Sequence, residues 1–172
     1  MKKTGFFFSM LLLLLVTSGH TFRSEFDIAD ITFYGLSFPA KKEAIIRKFG
    51  EGRKIPTSYE CGFYSEEQPN GPYYQFSYKN FNFIGSDKED FMLENVRFDA
   101  TGKVTLMYRK ELLNGFTTKA QFVNIFGQNV ENLFENNLNG NTILLRSEKN
   151  DDGIMFTFEH GKLSKMQYWS PC

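Results

Sequence analysis

Histidine and cysteine are scarce in this chain of 172 residues, with two of each, and that scarcity closes several routes to chemistry. A zinc site or a serine-type triad needs an imidazole with well-placed partners. His20 sits at the edge of the N-terminal apolar segment, and His160 falls in an expected hairpin turn, where a solvated turn residue is the plain reading. Neither cysteine belongs to a CxxC pair, which excludes a thioredoxin-like redox motif. No charge surplus exists either: 20 basic residues face 20 acidic ones, whereas a nucleic-acid binder usually carries a basic excess. No apolar run reaches the ~20 residues that a membrane-spanning helix needs. The nearest approach, Phe6 to Val16, follows Lys2 and Lys3 and precedes Thr17-Ser18-Gly19. Those are the length and flanks of a signal peptide, assigned here to residues 1–19. No cysteine follows the run to be acylated. The expectation is an exported protein, periplasmic or secreted, soluble and without a lipid anchor or an embedded segment.

Without Lys2 and Lys3 the balance becomes 18 basic against 20 acidic residues. What remains is long enough for one domain with a substantial core. In an exported protein two cysteines favour a disulfide. Joining Cys61 to Cys172 would staple the end of the chain to its first half, worth roughly 4–5 kcal/mol in the chain-entropy picture.

What is present is a sentence written twice. AIIRKFGEG (Ala44–Gly52) places Ile45, Ile46 and Phe49 on one helix face and stops at Gly50, a residue that closes helices in the left-handed conformation. QFVNIFGQN (Gln121–Asn129) repeats this with Phe122, Val123, Phe126 and Gly127. Lys42 and Lys119 align under the same offset. Pro39 suits a first helical turn, and Thr118 with Gln121 has capping-box spacing. Strands follow each helix. Tyr74, Phe76 and Tyr78 alternate, and a two-residue turn at Lys79-Asn80 sets Tyr78 opposite Phe81 and Phe76 opposite Phe83. Further strands are expected near Met92–Phe98 and Lys103–Arg109, joined by a hairpin at Asp99–Gly102. In the second half they fall at Asn141–Arg146 and Ile154–Phe158. FDATGKVTLMY (Phe98–Tyr108) matches FEHGKLSKMQY (Phe158–Tyr168). A strand over Asp30–Leu36 precedes the first helix, and Thr105–Leu113 is its counterpart. The expected fold class is α+β: two tandem helix-plus-antiparallel-meander units, residues 20–110 and 111–172, sharing one core.

That order of helix, Phe-Gly stop, antiparallel strands and Gly-Lys hairpin, twice over, resembles the β-lactamase inhibitor protein fold. It is also similar to the single-unit envelope proteins of the SmpA/OmlA type. The resemblance implies a binding module, one that inhibits an enzyme or joins an outer-membrane assembly. It assigns no binding residue.

The acidic groups Asp87/Glu89/Asp90 and Asp151/Asp152 fall at expected hairpin tips. Carboxylates facing one another across a cleft can hydrolyse glycosides, but at loop tips such residues usually serve turn chemistry. The first group lacks the ligand spacing of a calcium loop. GEGRK (Gly50–Lys54) follows its helix rather than preceding one, so it is no phosphate loop. The basic cluster Lys41, Lys42, Arg47, Lys48, Arg53 and Lys54 reads as a solvated face, with an acidic protein or lipid headgroups as its functional alternative.

The aromatic load, 20 phenylalanines and eight tyrosines, is more than turns and solubility require. Tyr64, Tyr73, Tyr74, Tyr78, Tyr108, Tyr168 and Trp169 are candidates for an exposed, partner-binding sheet face, since Tyr and Trp dominate interface hot spots. The competing assignment is a core with hydroxyls at its edge. The sequence therefore predicts an exported protein-binding module, not an enzyme, with no cofactor and no metal. It would neutralise another protein by steric occlusion, as an inhibitor or toxin-immunity protein does. A structural part in envelope assembly is the alternative, and a hydrolase is more remote.

Overall fold

The computed structural model describes residues 26–57, 68–135 and 140–171. The segment expected to be a signal peptide, residues 1–19, lies outside the described residues, as do Cys61, Cys172 and Tyr64. The chain opens with a hairpin, β1 (Ile31–Phe33) and β2 (Leu36–Ser37), followed by α1 (Lys42–Phe49). Then come β3 (Arg53–Pro56), β4 (Tyr74–Ser77), β5 (Phe81–Gly85) and β6 (Met92–Arg97). A second hairpin, β7 (Thr105–Tyr108) and β8 (Glu111–Asn114), leads into α2 (Lys119–Phe126) and α3 (Asn129–Glu135). The last strands are β9 (Thr142–Arg146), β10 (Gly153–Glu159) and β11 (Lys162–Trp169).

These strands form two antiparallel sheets, one of four strands in the order β2-β1-β7-β8 and one of seven in the order β3-β4-β5-β6-β11-β10-β9. The α+β expectation of two helix-plus-meander units is thereby corrected: the described chain is mostly β, about 42% strand against 19% helix. The physical reason lies ahead of each helix. The segments taken as single strands fold back on themselves, at Tyr34-Gly35 with φ of 50° and 83° and at Arg109. The two hairpins pool, β1 against β7, into a sheet of their own.

Both helices stop at the expected glycines, though with extended ψ of −175° and 160° rather than in the left-handed helical conformation. Gly50 and Gly127 have φ of 78° and 97°, and their N–H groups donate to Ile46 and Val123 carbonyls, both at 2.8 Å. Thr118 and Gln121 form the reciprocal capping box, and Lys42 and Lys119 are the first residues of their helices. Pro39 lies before the cap residue Lys41 rather than inside the first turn. The β4–β5 turn also holds, with Phe76 opposite Phe83 and the Tyr78 and Phe81 rings stacked at 4.8 Å.

The Phe98–Tyr108 and Phe158–Tyr168 segments share letters but not geometry. The second is a two-residue hairpin, with His160 and Gly161 at φ of 51° and 75°. In the first, the Asp99 carboxylate accepts the N–H groups of Thr101 at 2.7 Å and Val104 at 3.0 Å. That bends the chain out of one sheet and into the other. β6 therefore pairs with β11, not with β7.

The helices and the small sheet cover one face of the large sheet. Phe33 and Phe49 pack on Phe81 and Phe83, and Phe122 and Phe126 pack on Phe156, with centroids 4.8–6.5 Å apart. Phe33, Phe76, Phe83, Phe122 and Phe156 are fully buried there. At roughly 2–3 kcal/mol for each large apolar side chain, this is where most of the fold's stabilisation is gathered. Among the described residues, no element packs over the opposite face of the seven-stranded sheet.

Candidate functional site

The tyrosines nominated for an exposed face divide. Tyr73, Tyr74 and Tyr108 are buried, at 4%, 8% and 2% exposure, so an exposed aromatic surface cannot be built from them. For Tyr73 and Tyr74 the hydroxyls explain how they go inside. Tyr73 donates to Glu89 Oε2 at 2.9 Å and Tyr74 to Asp87 Oδ1 at 2.8 Å. Burial first, and the Glu89 carboxylate second, push the Tyr73 hydroxyl up to about 12. Tyr78, Tyr168 and Trp169 are half-buried. Tyr78 reaches the Gly50 carbonyl at 2.8 Å, tying β4 to the helix stop. The Trp169 ring stacks under the Arg146 guanidinium, 4.8 Å from ring centre to charge.

The hairpin-tip acids work on these same tyrosines. Asp87 takes Lys42 at 2.6 Å and Lys54 at 3.5 Å, and Lys42, then Tyr74, hold its carboxyl down at about 2. The Lys54 ammonium lies 4.3 Å from the centre of the Tyr74 ring. Two members of the basic cluster are thus anchored by one acid, whereas Arg53 points elsewhere. Glu89 and Asp90, with Asp152 from a distant part of the chain, line one cleft of about 420 Å³ with Phe38, Met92 and Tyr168. Its acids hold neighbours in place. Glu89 accepts Tyr73 and Asn70, Asp152 accepts the Tyr168 hydroxyl, and Asp27 pairs with Lys149. Burial, and then Asp152, raise the Tyr168 hydroxyl well above its ordinary range. His160, with its positive φ, is an exposed turn residue. Among the described residues no group of three His, Cys, Asp or Glu side chains is placed to hold a metal ion. No described helix is long and apolar enough to cross a membrane.

The larger groove, about 490 Å³, lies on the open face of the seven-stranded sheet. It is built by register. Arg53 pairs with Ser77, Ser77 with Asn82, Asn82 with Asn95, and Asn95 with Gln167. This polar row crosses five strands, a span of about 19 Å at the usual strand spacing. Cross-strand partners share a face because side chains alternate with period two, and the other face is filled by Phe76, Phe83, Val96 and Met166. A bulge at Asn82/Phe83 leaves Glu94 on the polar side as well. Its carboxylate accepts the Gln75 amide at 3.4 Å and the Asn82 amide. Asn82 is only 8% exposed. Beside this row, Arg97 stands directly opposite Lys165, and the Lys165 ammonium donates to Gln167 Oε1 at 2.8 Å.

Two features of the groove cost stability. Like charges directly opposite on neighbouring strands repel. Asn95 Oδ1 is buried with no hydrogen-bond partner among the described residues, a defect worth about 1–3 kcal/mol. Such costs concentrate where a surface is shaped for something other than folding. None of Ser77, Asn82, Glu94, Asn95, Arg97, Lys165 or Gln167 was nominated from sequence. Alternating polar residues in a strand look like any solvated face, and only their alignment across strands makes a site.

No known protein family, curated protein or solved structure matches the chain.

Proposed function

We propose that the chain is an exported protein-binding module that neutralises its partner by covering part of it. The observation that carries this reading is the polar row Arg53–Ser77–Asn82–Asn95–Gln167, which lines a groove across five strands drawn from both halves of the chain. A groove on a stiff sheet is already shaped before a partner arrives, so little ordering is lost on binding. The opposite face of those strands is locked by packed phenylalanines, which keeps the row in place. The signal segment at residues 1–19 supports export.

A photo-crosslinking residue at Gln167, compared with one at Lys110 on the far hairpin, tests the proposal in envelope extract of the source organism. The expected result is one crosslinked protein from Gln167 and none from Lys110. Loss of that protein's activity in the purified complex supports inhibition or toxin neutralisation. Crosslinks to several outer-membrane assembly components move the chain to a structural role. Equal labelling from both positions sinks the assignment of this face.

A further inference from the structure

We propose that the groove on the open sheet face takes an extended, acidic segment of the partner protein. The inference rests on the protein-binding reading and adds the chemistry of what is bound. Charge is its first support. Among the described residues the groove carries Arg53, Lys79, Arg97 and Lys165 against a single acid, Glu94, and that acid is turned to the Gln75 and Asn82 amides. The chain as a whole has no net charge. The cations have been gathered here, while acids collect at Asp27, Asp87, Glu89, Asp90 and Asp152, outside the groove. Arg97 and Lys165 stand side by side with no ion pair among the described residues. A carboxylate between them converts a repulsive pair into a bridged one.

The second support is the hydrogen-bonding pattern of the floor. Asn95 Oδ1 is a buried acceptor that lacks a donor, and it lies in the row between Asn82 and Gln167. That oxygen is enclosed as it stands, and a main-chain N–H supplies what it lacks once the Asn95 amide turns outward. A bare inorganic anion has only acceptors to offer. The row's length, about 19 Å, accommodates five or six extended residues at about 3.3 Å each. An extended strand carries acids on alternate positions past Arg53 at one end and the Arg97–Lys165 pair near the other, while its backbone meets the amides between.

Fluorescence anisotropy with short labelled peptides tests this on the full exported chain. One peptide alternates glutamate with threonine, one lysine with threonine and one glutamine with threonine, and an oligogalacturonate provides an acidic chain without backbone N–H groups. The acidic peptide is expected to bind, to weaken as salt rises, and to lose roughly tenfold in affinity in Arg97→Glu. That variant places opposite charges across β6 and β11 and so is expected to fold at least as well as the parent; its loss of binding cannot be assigned to unfolding. Equal binding of neutral or basic peptides overturns the acidic preference and leaves the protein-binding reading standing. Oligogalacturonate that binds as tightly and displaces the acidic peptide transfers the site to acidic saccharides and overturns the proposal. If no peptide binds, the segment crosslinked to Gln167 decides: an acidic sequence supports the proposal, and a neutral or basic one removes it. An absence of any Gln167 crosslink removes both readings.

Discussion

Glu94 is the residue where stability and binding pull in opposite directions, and Glu94→Gln measures both. The carboxylate accepts amide protons from Gln75 and from the nearly buried Asn82. Hydrogen bonds to a charged acceptor contribute about 1.5–3 kcal/mol, against about 0.5–1.5 for a neutral one. Glutamine keeps the size of the side chain but replaces one acceptor oxygen with a donor. A flip of the Asn82 amide restores a neutral pair, so the expected net loss is about 1–2 kcal/mol. For a chain of this length that lowers Tm by roughly 2–8 °C. The same change removes the one negative charge that the described residues place in the groove, and acidic-peptide affinity is expected to rise a few-fold. Thermal melts followed by circular dichroism at neutral pH, with peptide titration on the same samples, give both numbers. An unchanged or higher Tm refutes the role assigned to Glu94 in holding the groove floor. Weaker acidic-peptide binding in a folded variant refutes the electrostatic reasoning.

Two further outcomes test other parts of the structure. A methyl group added at Gly115 would stand 2.0 Å from the Asp99 carbonyl oxygen, whereas one at Gly52 meets side chains alone, the Tyr78 ring end at 2.9 Å and the Phe76 ring edge at 3.2 Å. Gly115→Ala is therefore expected to cost about 1–3 kcal/mol or more and Gly52→Ala distinctly less; equal Tm values for the two variants would contradict the close approach of those loops. Lys42 and Tyr74 hold the Asp87 carboxyl at about 2, below its ordinary 3.8, so its stabilising effect is complete above about pH 4 and is lost as pH falls toward 2. The Tm gap between the parent and Asp87→Asn should close over that window, and a gap that stays constant through it would rule out this ion pair as a pH-sensitive contact.

What could be read from the letters was local. Gly50 and Gly127 stop their helices, and Thr118 and Gln121 cap one, because those contacts close within a turn and need no partner elsewhere. The Lys79-Asn80 turn was legible because Tyr78, Phe81, Phe76 and Phe83 demand one register. Phe98–Tyr108 misled, since the Asp99 side chain decides where the chain goes and its bonding is invisible in a pattern of aromatic, acid and glycine. The buried tyrosines misled for a related reason. Tyr73 and Tyr74 enter the protein because Glu89 and Asp87 satisfy their hydroxyls, and nothing in sequence spacing marks those acids as partners. The groove was out of reach because Arg53 and Gln167 become neighbours on one row only through four successive strand pairings.

The meeting of β6 and β11 has a consequence in time. Three paired positions there, Arg97 with Lys165, Val96 with Met166 and Asn95 with Gln167, join the two groups of strands into one sheet. β3 and β11 are separated by more than a hundred residues of chain. A growing chain that has reached Gly140 already contains Arg53, Asn82 and Arg97, yet it lacks the strand that brings Lys165 and Gln167 beside them. The groove thus comes into being only when synthesis has passed β11, and a half-made molecule would be unable to capture the proposed partner early.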